Sequence, residues 1–494
     1  MLAVVGLALI GLIHFYLWKR LVRDATRPGP WRRAGTVVAV VLGLLVPATL
    51  IGTRVGVTVL AWPGYLWIAL MFYLLVVLVL LEIPMLVARI VVRRRPATSN
   101  QPVGDNAPVA SGQPAAARRA VETTDQQRVT GEHEQHQAAD DATRQPTAAR
   151  RAVETTDQQR VASEDEQRQA SGRPAEATGT TQRRTLAQHE VAQSNGDAPG
   201  QADATAARNE TQAWTPGIER RLLLARGAAI FAGLTATGIT AYGARTALGA
   251  PRLDRVQITL AKLPRSMDGF RIATVSDIHL GPLAGRAHTE RIVAAVNRTN
   301  ADLVAVVGDL VDGSVREIGA AAAPLRDMRS RHGSFFVTGN HEYYSGADEW
   351  LAEVERLGIR TLRNERELIS RAGGAFDLAG VNDVAGEGTS TGGPDIPGAL
   401  RDRDATIPVV LLAHQPVQVH DAAKQGVDLQ LSGHTHGGQM APFNLLVKLD
   451  QPVVRGYARF GDTQLYVTNG AGFWGPPVRV GAPPQVTLVE LRSP

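Results

Sequence analysis

Residues 302–309 read "DLVAVVGD". From Leu303 to Val307 the run is continuous, apolar and β-branched, with no polar alternation. That pattern predicts a strand buried on both faces and flanked by helices. The run stops at Gly308 and Asp309, and four other runs stop in the same manner. "RIATVSDIH" ends at Asp277 and His279, and "SFFVTGNHE" at Asn340, His341 and Glu342. "IPVVLLAH" ends at His414, and "VDLQLSGHTH" at His434 and His436. Between them "GRAHTERIVAAVNRT" and "ADEWLAEVERL" read as helices. The fold class is therefore α/β. In open α/β sheets ligands bind outside the carboxyl ends of the strands.

Those ends carry carboxylates, imidazoles and one amide. A lone Asp after a strand is ordinarily a helix cap or turn residue. A lone His is ordinarily a satisfied surface or core residue, and His288, His332 and His420 are read that way. Five such endings on successive strands make a set of coincidences improbable. Asp277 and His279 are two apart, so extended backbone would point both to one side, and the same holds for His434 and His436. Glycines beside them (Gly308, Gly339 and Gly433) permit tight turns and close backbone approach.

Mixed imidazole, carboxylate and amide donors suit first-row transition metals such as Mn, Fe or Zn. The set is too large for one tetrahedral ion, but two ions sharing one carboxylate would use it. Such a pair, about 3.5–4 Å apart, can bind a hydroxide and clamp the attacking and leaving oxygens of an in-line displacement. That chemistry suits phosphate esters, where positioning and charge neutralisation do most of the catalysis. There is no P-loop lysine motif, so a nucleotide-driven kinase or ATPase is not supported.

The ordered set "DIH" at 277, "GD" at 308, "GNHE" at 339, His414 and "GHTH" at 433 resembles the calcineurin-like metallophosphoesterases, and in particular their membrane-associated or exported bacterial branch. The resemblance covers residues 251 to 494. It implies a β-sandwich of two mixed sheets flanked by helices, and two divalent metal sites. Asp277, His279, Asp309 and His436 would hold one ion; Asp309, Asn340, His414 and His434 would hold the other, with Asp309 bridging. His341 would be the non-ligand histidine that stabilises the transition state or protonates the leaving oxygen, and Glu342 a loop anchor. Relatives often carry Pro-Pro-Glu in the tail where this chain has Pro483-Pro484-Gln485. Arg479 reads either as a contact to a substrate phosphate or as an exposed loop arginine.

The rest of the 494-residue chain is uneven. There are no cysteines, which excludes disulfides, zinc fingers and thiol nucleophiles. Residues 1–95 hold three apolar runs, at 2–18, about 36–53 and about 66–92, read as three transmembrane helices. The charges follow the first run instead of preceding it, unlike a secretory signal. A fourth segment lies within 220–250, at 227–244; its rival reading is a buried soluble helix. Arg220, Arg221 and Arg226 ahead of it favour a span, and "ERRLLLARGAAIFAG" also resembles an internal twin-arginine signal. Residues 96–219 form a low-complexity linker, read as mostly disordered, with "PAAARRAVETTDQQRV" at 114–129 repeated almost unchanged at 146–161. The 32-residue spacing suits a solenoid, but two copies without an apolar face cannot build one.

Lys19, Arg20, Arg23, Arg27, Arg32 and Arg33 lie between the first two runs, only Arg54 between the next two, and Arg93, Arg94 and Arg95 after the third. The positive-inside rule then places the linker in the cytoplasm and residues 251–494 outside a cytoplasmic membrane that the chain crosses several times. His14 and Glu82, inside apolar runs, are read as reaching the interface. The net charge of +5 gathers beside the apolar runs, which points to membrane lipids and not to nucleic acid. No protein partner is expected. The function that follows is a membrane-anchored two-metal phosphoesterase acting on a phosphodiester or pyrophosphate, possible substrates being lipid-linked or envelope phosphates. The rival is a membrane scaffold or sensor whose metal site is only structural.

Overall fold

The computed structural model describes residues 2–94 and 216–494. The repeat at 114–129 and 146–161, with the rest of the expected linker up to residue 215, lies outside the described residues.

Four long apolar helices come first: α1 (Leu2–Leu17, with a π-helical extension to Arg23), α2 (Pro30–Arg54), α3 (Ala61–Arg94) and α4 (Pro216–Leu248). Each is long and apolar enough to cross a membrane. Glu82 accepts from Tyr16 Oη at 2.8 Å and pairs with Arg20 at 2.9 Å, so its charge is met by a partner within the helices. Trp67 Nε1 donates to His14 Nε2 at 3.2 Å.

From Arg252 the chain builds two six-stranded mixed sheets. The first contains β1 (Arg252–Thr259), β2 (Phe270–Val275), β3 (Leu303–Val307), β4 (Ser334–Val337), β5 (Ile359–Thr361) and β12 (Gln485–Arg492), in the order β1-β12-β2-β3-β4-β5. The second contains β6 (Glu365–Arg371), β7 (Gly374–Gly380), β8 (Val409–Leu412), β9 (Leu429–Ser432), β10 (Gly456–Phe460) and β11 (Thr463–Val467), in the order β10-β11-β9-β8-β7-β6. β2, β3, β4 and β5 run parallel, as do β7, β8, β9 and β11. The candidate ligands follow β2, β3, β4, β8 and β9, so the parallel runs deliver all of them to one end of the sandwich.

Burial explains the unbroken apolar runs. Along β3, Leu303, Ala305 and Val307 face Leu378, Val410, Leu412 and Leu431 of the other sheet. Val304 and Val306 face the opposite way, towards Ile292 and Val296 of α5 (Arg286–Asn297) and Trp350 and Val354 of α8 (Ala347–Arg356). Both faces of the strand are therefore covered, and alternation would have placed polar groups in one core. The shorter helices are α6 (Val315–Ala322), α7 (Asn340–Ser345), α9 (Ile396–Ala399), α10 (Val419–Lys424) and α11 (Asn444–Val447). α9 and α10 cover the outer face of the second sheet. The result is a β-sandwich of two mixed sheets flanked by helices.

Candidate metal centre

The strands stop before their functional residues. β2 ends at Val275 and β9 at Ser432. Asp277, His279, Asp309, His434 and His436 all adopt positive φ, at 53°, 50°, 52°, 71° and 52°. The expectation that extended backbone aims the pairs to one side is thereby corrected. Left-handed turns just past the strands aim them instead, a conformation costly enough for non-glycine residues that the surroundings must enforce it.

Part of that enforcement is close packing. A Cβ at Gly433 would collide with Ser276 Oγ and Asp277 Oδ2, and one at Gly339 with Asp309. Neither glycine has positive φ; each is needed for space, so that one loop can lie directly on a neighbour's carboxylate. Glu342 does the anchoring expected of it. Buried in the first turn of α7, its carboxylate accepts from the amides of Gly339 (2.6 Å), Leu310 (2.7 Å) and Asp309 (3.0 Å), tying the β3 and β4 loops together. Burial, with Asp309 nearby, pushes its pKa up to about 7.

Among the described residues three donor groups form; one, His279 with Asp312 and His341, adjoins the first of two separate clusters. Asp277, His279 and His436 converge in one; Asp309, His414 and His434 converge in the other. In the first, His279 Nε2 lies 2.9 Å from His436 Nε2, which is 3.4 Å from Asp277 Oδ1. In the second, His414 Nε2 is 3.1 Å from Asp309 Oδ2, and His434 Nδ1 is 3.0 Å from Asn340 Oδ1. Asp309 stands between them. Its Oδ1 accepts the His341 amide at 2.9 Å, while Oδ2 faces His414 and, at 3.8 Å, His279. One carboxylate oxygen is thus shared by both groups.

These residues fit two divalent ions. His414 Nδ1 is committed to Val307 O at 2.8 Å, yet its buried Nε2 makes no hydrogen bond with proper geometry. An orphaned nitrogen beside a carboxylate is a pair that a cation would satisfy. Nitrogens ligating one ion at about 2.1 Å would lie about 3 Å apart at right angles, close to the His279–His436 separation. The electrostatics divide the ligands into two kinds. Burial, with Asp309 close by, raises the Asp277 carboxyl despite His414. Burial opposes charge on His414 and His279, but the surrounding aspartates outweigh it, lifting His414 well above its ordinary value and His279 to about 9. Burial and His414 lower His434 to about 4; burial, His279 and Arg479 hold His436 well below its ordinary value. A cation requires neutral imidazoles and ionised carboxylates; His434 and His436 already favour the neutral form, and at His279 and His414 a metal would take the place of the proton that the aspartates draw to the ring.

His341 is partly exposed at the edge of the first cluster, its ring 4.7 Å from that of His279. The residue that sequence reasoning missed is Asp312. Its Oδ1 meets His279 Nδ1 at 3.0 Å and His341 Nδ1 at 2.6 Å. Burial opposes its charge, yet the two imidazoles hold it at about 2. The signal was present in "GDLVDG", a second acid three residues beyond Asp309 in the same loop. His288, read as ordinary, is buried on α5 with its ring 5.8 Å from Phe473.

Arg479 matches neither of its two sequence readings. It is fully buried and touches no open surface. Its guanidinium donates to the carbonyls of His436 (2.7 Å), Asn469 (2.9 Å), Ala482 (3.3 Å) and Gly472, and Nη2 lies 3.2 Å from His436 Nδ1. Burial lowers it to about 10. Gln485, where an acid was expected from the resemblance, spans β11 and β12: Oε1 accepts from the Asn469 amide at 3.1 Å and Nε2 donates to Tyr466 Oη at 2.9 Å.

A family model for the calcineurin-like phosphoesterases matches residues 270–438. The chain is 38% identical over 264 residues to a transmembrane protein with metallophosphoesterase domain from Danio rerio, covering 52% of this chain and 60% of that protein. It is 32% identical over 246 residues to an uncharacterized metallophosphoesterase of Aquifex aeolicus, covering 49% of this chain and 92% of that one. With the uncharacterized metallophosphoesterase YkuE of Bacillus subtilis it shares 28% identity over 277 residues, 53% of this chain and 95% of YkuE. The chain spans only 60% of the length of the Danio rerio relative.

Proposed function

The chain belongs to the calcineurin-like metallophosphoesterases, and we propose that it is a membrane-anchored phosphoesterase with a two-metal centre, hydrolysing phosphodiester or pyrophosphate bonds of lipid-linked or envelope substrates. The observation that carries this is Asp309 Oδ2, which faces His414 of one donor cluster and His279 of the other. Asp277, His279, Asp309 and His436 would hold one ion, and Asp309, Asn340, His414 and His434 the other. Two such ions supply a nucleophile at neutral pH and neutralise charge on the phosphoryl group.

The protein's own groups do the rest. Asp312 accepts from His279 Nδ1, which fixes the tautomer that leaves Nε2 with its lone pair for metal. The same oxygen accepts from His341 Nδ1 and so orients that ring. His341 Nε2 then carries a proton for the leaving oxygen, while Nδ1–H stays on Asp312. Gly339 and Gly433 let the ligand loops close on the carboxylates, so the donors are held before substrate arrives.

Four membrane-length helices support the anchoring. The basic residues between α1 and α2 support a catalytic domain on the outer side of a cytoplasmic membrane. The test of function is turnover of a bis-nitrophenyl phosphodiester by the full chain with added manganese. Loss of turnover in His341→Ala with metal retained is expected; absence of turnover with every divalent metal would instead favour a scaffold. A phosphatase reporter fused after residue 250 should be active, and silence there sinks the outward orientation.

A further inference from the structure

Two residues after the "GHTHGGQ" loop the chain reads "PFNLLVKL", residues 442–449. It forms the single turn α11 and its flanks. Phe443, Leu445, Leu446 and Leu449 are 43%, 60%, 57% and 84% exposed. Four large apolar side chains on one short segment form a contiguous apolar surface, of the kind that marks an interaction site. Lys448 is the one charged residue within it.

The neighbours say what covers it. The Phe443 ring lies 6.5 Å from the ring of Phe72, edge to face, on the side of α3. Trp62, Tyr65 and Trp67 open α3, the usual placement of aromatic side chains at a membrane interface. Phe72 lies a further five residues along from Trp67, about 7–8 Å deeper at a helix's rise per residue. The segment is thus level with the outer hydrocarbon, not with water. The surrounding loops are seated on the same helices. Gly475 abuts Tyr65, two turns above Phe72 on α3. The Arg479 amide donates to Gly243 O of α4 at 2.9 Å, and a Cβ at Gly243 would meet Val478 and Val480 at 2.5 and 2.8 Å. Met440 and Val478 share one buried cluster with Ala69, Met71 and Ala236.

We propose that residues 442–449 are a membrane-inserted wedge whose occupant is the bilayer itself, with Phe443, Leu445, Leu446 and Leu449 among the acyl chains and Lys448 reaching back towards lipid phosphates. The proposal rests on the membrane reading of α1–α4 given above. The wedge packs directly on the site: a Cβ at Gly438 would run into Asn444, so the loop that carries His436 lies against this segment. Insertion places the metal-ligand loop at headgroup level, where a lipid's phosphate reaches it without leaving the bilayer.

The absence of cysteine makes a direct test possible. Leu446→Cys in the full chain gives a single site for a nitroxide, read in nanodiscs of phosphatidylcholine and phosphatidylglycerol. Val79→Cys on the exposed side of α3 and Lys424→Cys on α10 serve as the lipid and water references. The expected result is an oxygen-to-nickel-chelate accessibility ratio at 446 several-fold above that at 424 and close to that at 79. A ratio like that at 424 overturns the proposal. So does shielding from both reagents, which would mean that protein covers the segment. Depth is read without turnover, so a shallow label refutes insertion while the nitrophenyl assay separately decides whether the site hydrolyses esters.

Discussion

Asp312 Oδ1 lies 2.6 Å from His341 Nδ1, and the same oxygen lies 3.0 Å from His279 Nδ1. One carboxylate thus orients both the proposed proton donor and a proposed metal ligand. Asp312→Asn keeps the shape but removes the charged acceptor that holds both rings. Turnover of a nitrophenyl diester should fall about 10–100-fold, the usual cost of losing such an outer partner. The fall should appear in kcat with KM little changed. In the His341→Ala background the same substitution should cost much less, because residues acting as a unit are not additive. Equal losses in both backgrounds would contradict the coupling.

Asp309 and the two histidines of "GHTH" make separable predictions. Asp309 Oδ2 faces both clusters, so Asp309→Asn should lower the occupancy of both ions. His436 sits with Asp277 and His279, and His434 with Asp309 and His414. Each alanine substitution should therefore cost one ion preferentially. Metal content after dialysis against a weak chelator distinguishes these cases: near two ions in the parent, near one in either histidine variant, and near none in Asp309→Asn. Two retained ions in Asp309→Asn would refute the bridge.

The buried strands were legible because two covered faces demand unbroken apolar runs, and β3 and β8 carry them. The positions of the donors were legible because parallel strands deliver their carboxyl ends to one edge. Their aim was not. Strand periodicity predicts nothing about residues that lie past the strand in left-handed turns, as Asp277 and His434 do. Asp312 was hidden for a related reason: an acid in a loop is ordinary until the fold brings His279 and His341 to it. Arg479 misled because arginine beside a phosphate site suggests an anion contact, whereas here six carbonyl-directed and ring-directed contacts consume it.

Arg479 therefore predicts a stability effect without a substrate-binding one. Arg479→Met leaves the buried carbonyls of His436, Asn469, Gly472 and Ala482 without their donor. Stranding buried acceptors costs about 1–3 kcal/mol each, partly relieved by relaxation. A net loss of about 3 kcal/mol would lower Tm by about 6–12 °C in a domain of this size. Arg479→Lys should rescue little, because an ammonium cannot reproduce the planar fork. Thermal unfolding of the full chain in detergent measures this; an unchanged Tm for Arg479→Met would refute the organising role.

His288 predicts the direction of one pH effect. It is buried, and burial with the nearby Arg291 lowers its pKa to about 4. Its Nε2 has no hydrogen-bond partner among the described residues. Between about pH 4 and its ordinary value of 6.5 the unfolded chain binds a proton there that the folded chain refuses. Folding stability contributed by this residue is therefore complete above pH 6.5 and is lost as pH falls towards 4. The loss approaches ~3 kcal/mol at the acid end, taking 1.36 kcal/mol per pKa unit. Glu342, raised to about 7 by burial, works in the opposite sense over part of the same window, so the comparison must be between variants. His288→Gln should flatten the acid limb relative to the parent in denaturant unfolding at pH 7.5, 6 and 5. Parallel stability curves for the two proteins would show that His288 does not titrate on unfolding.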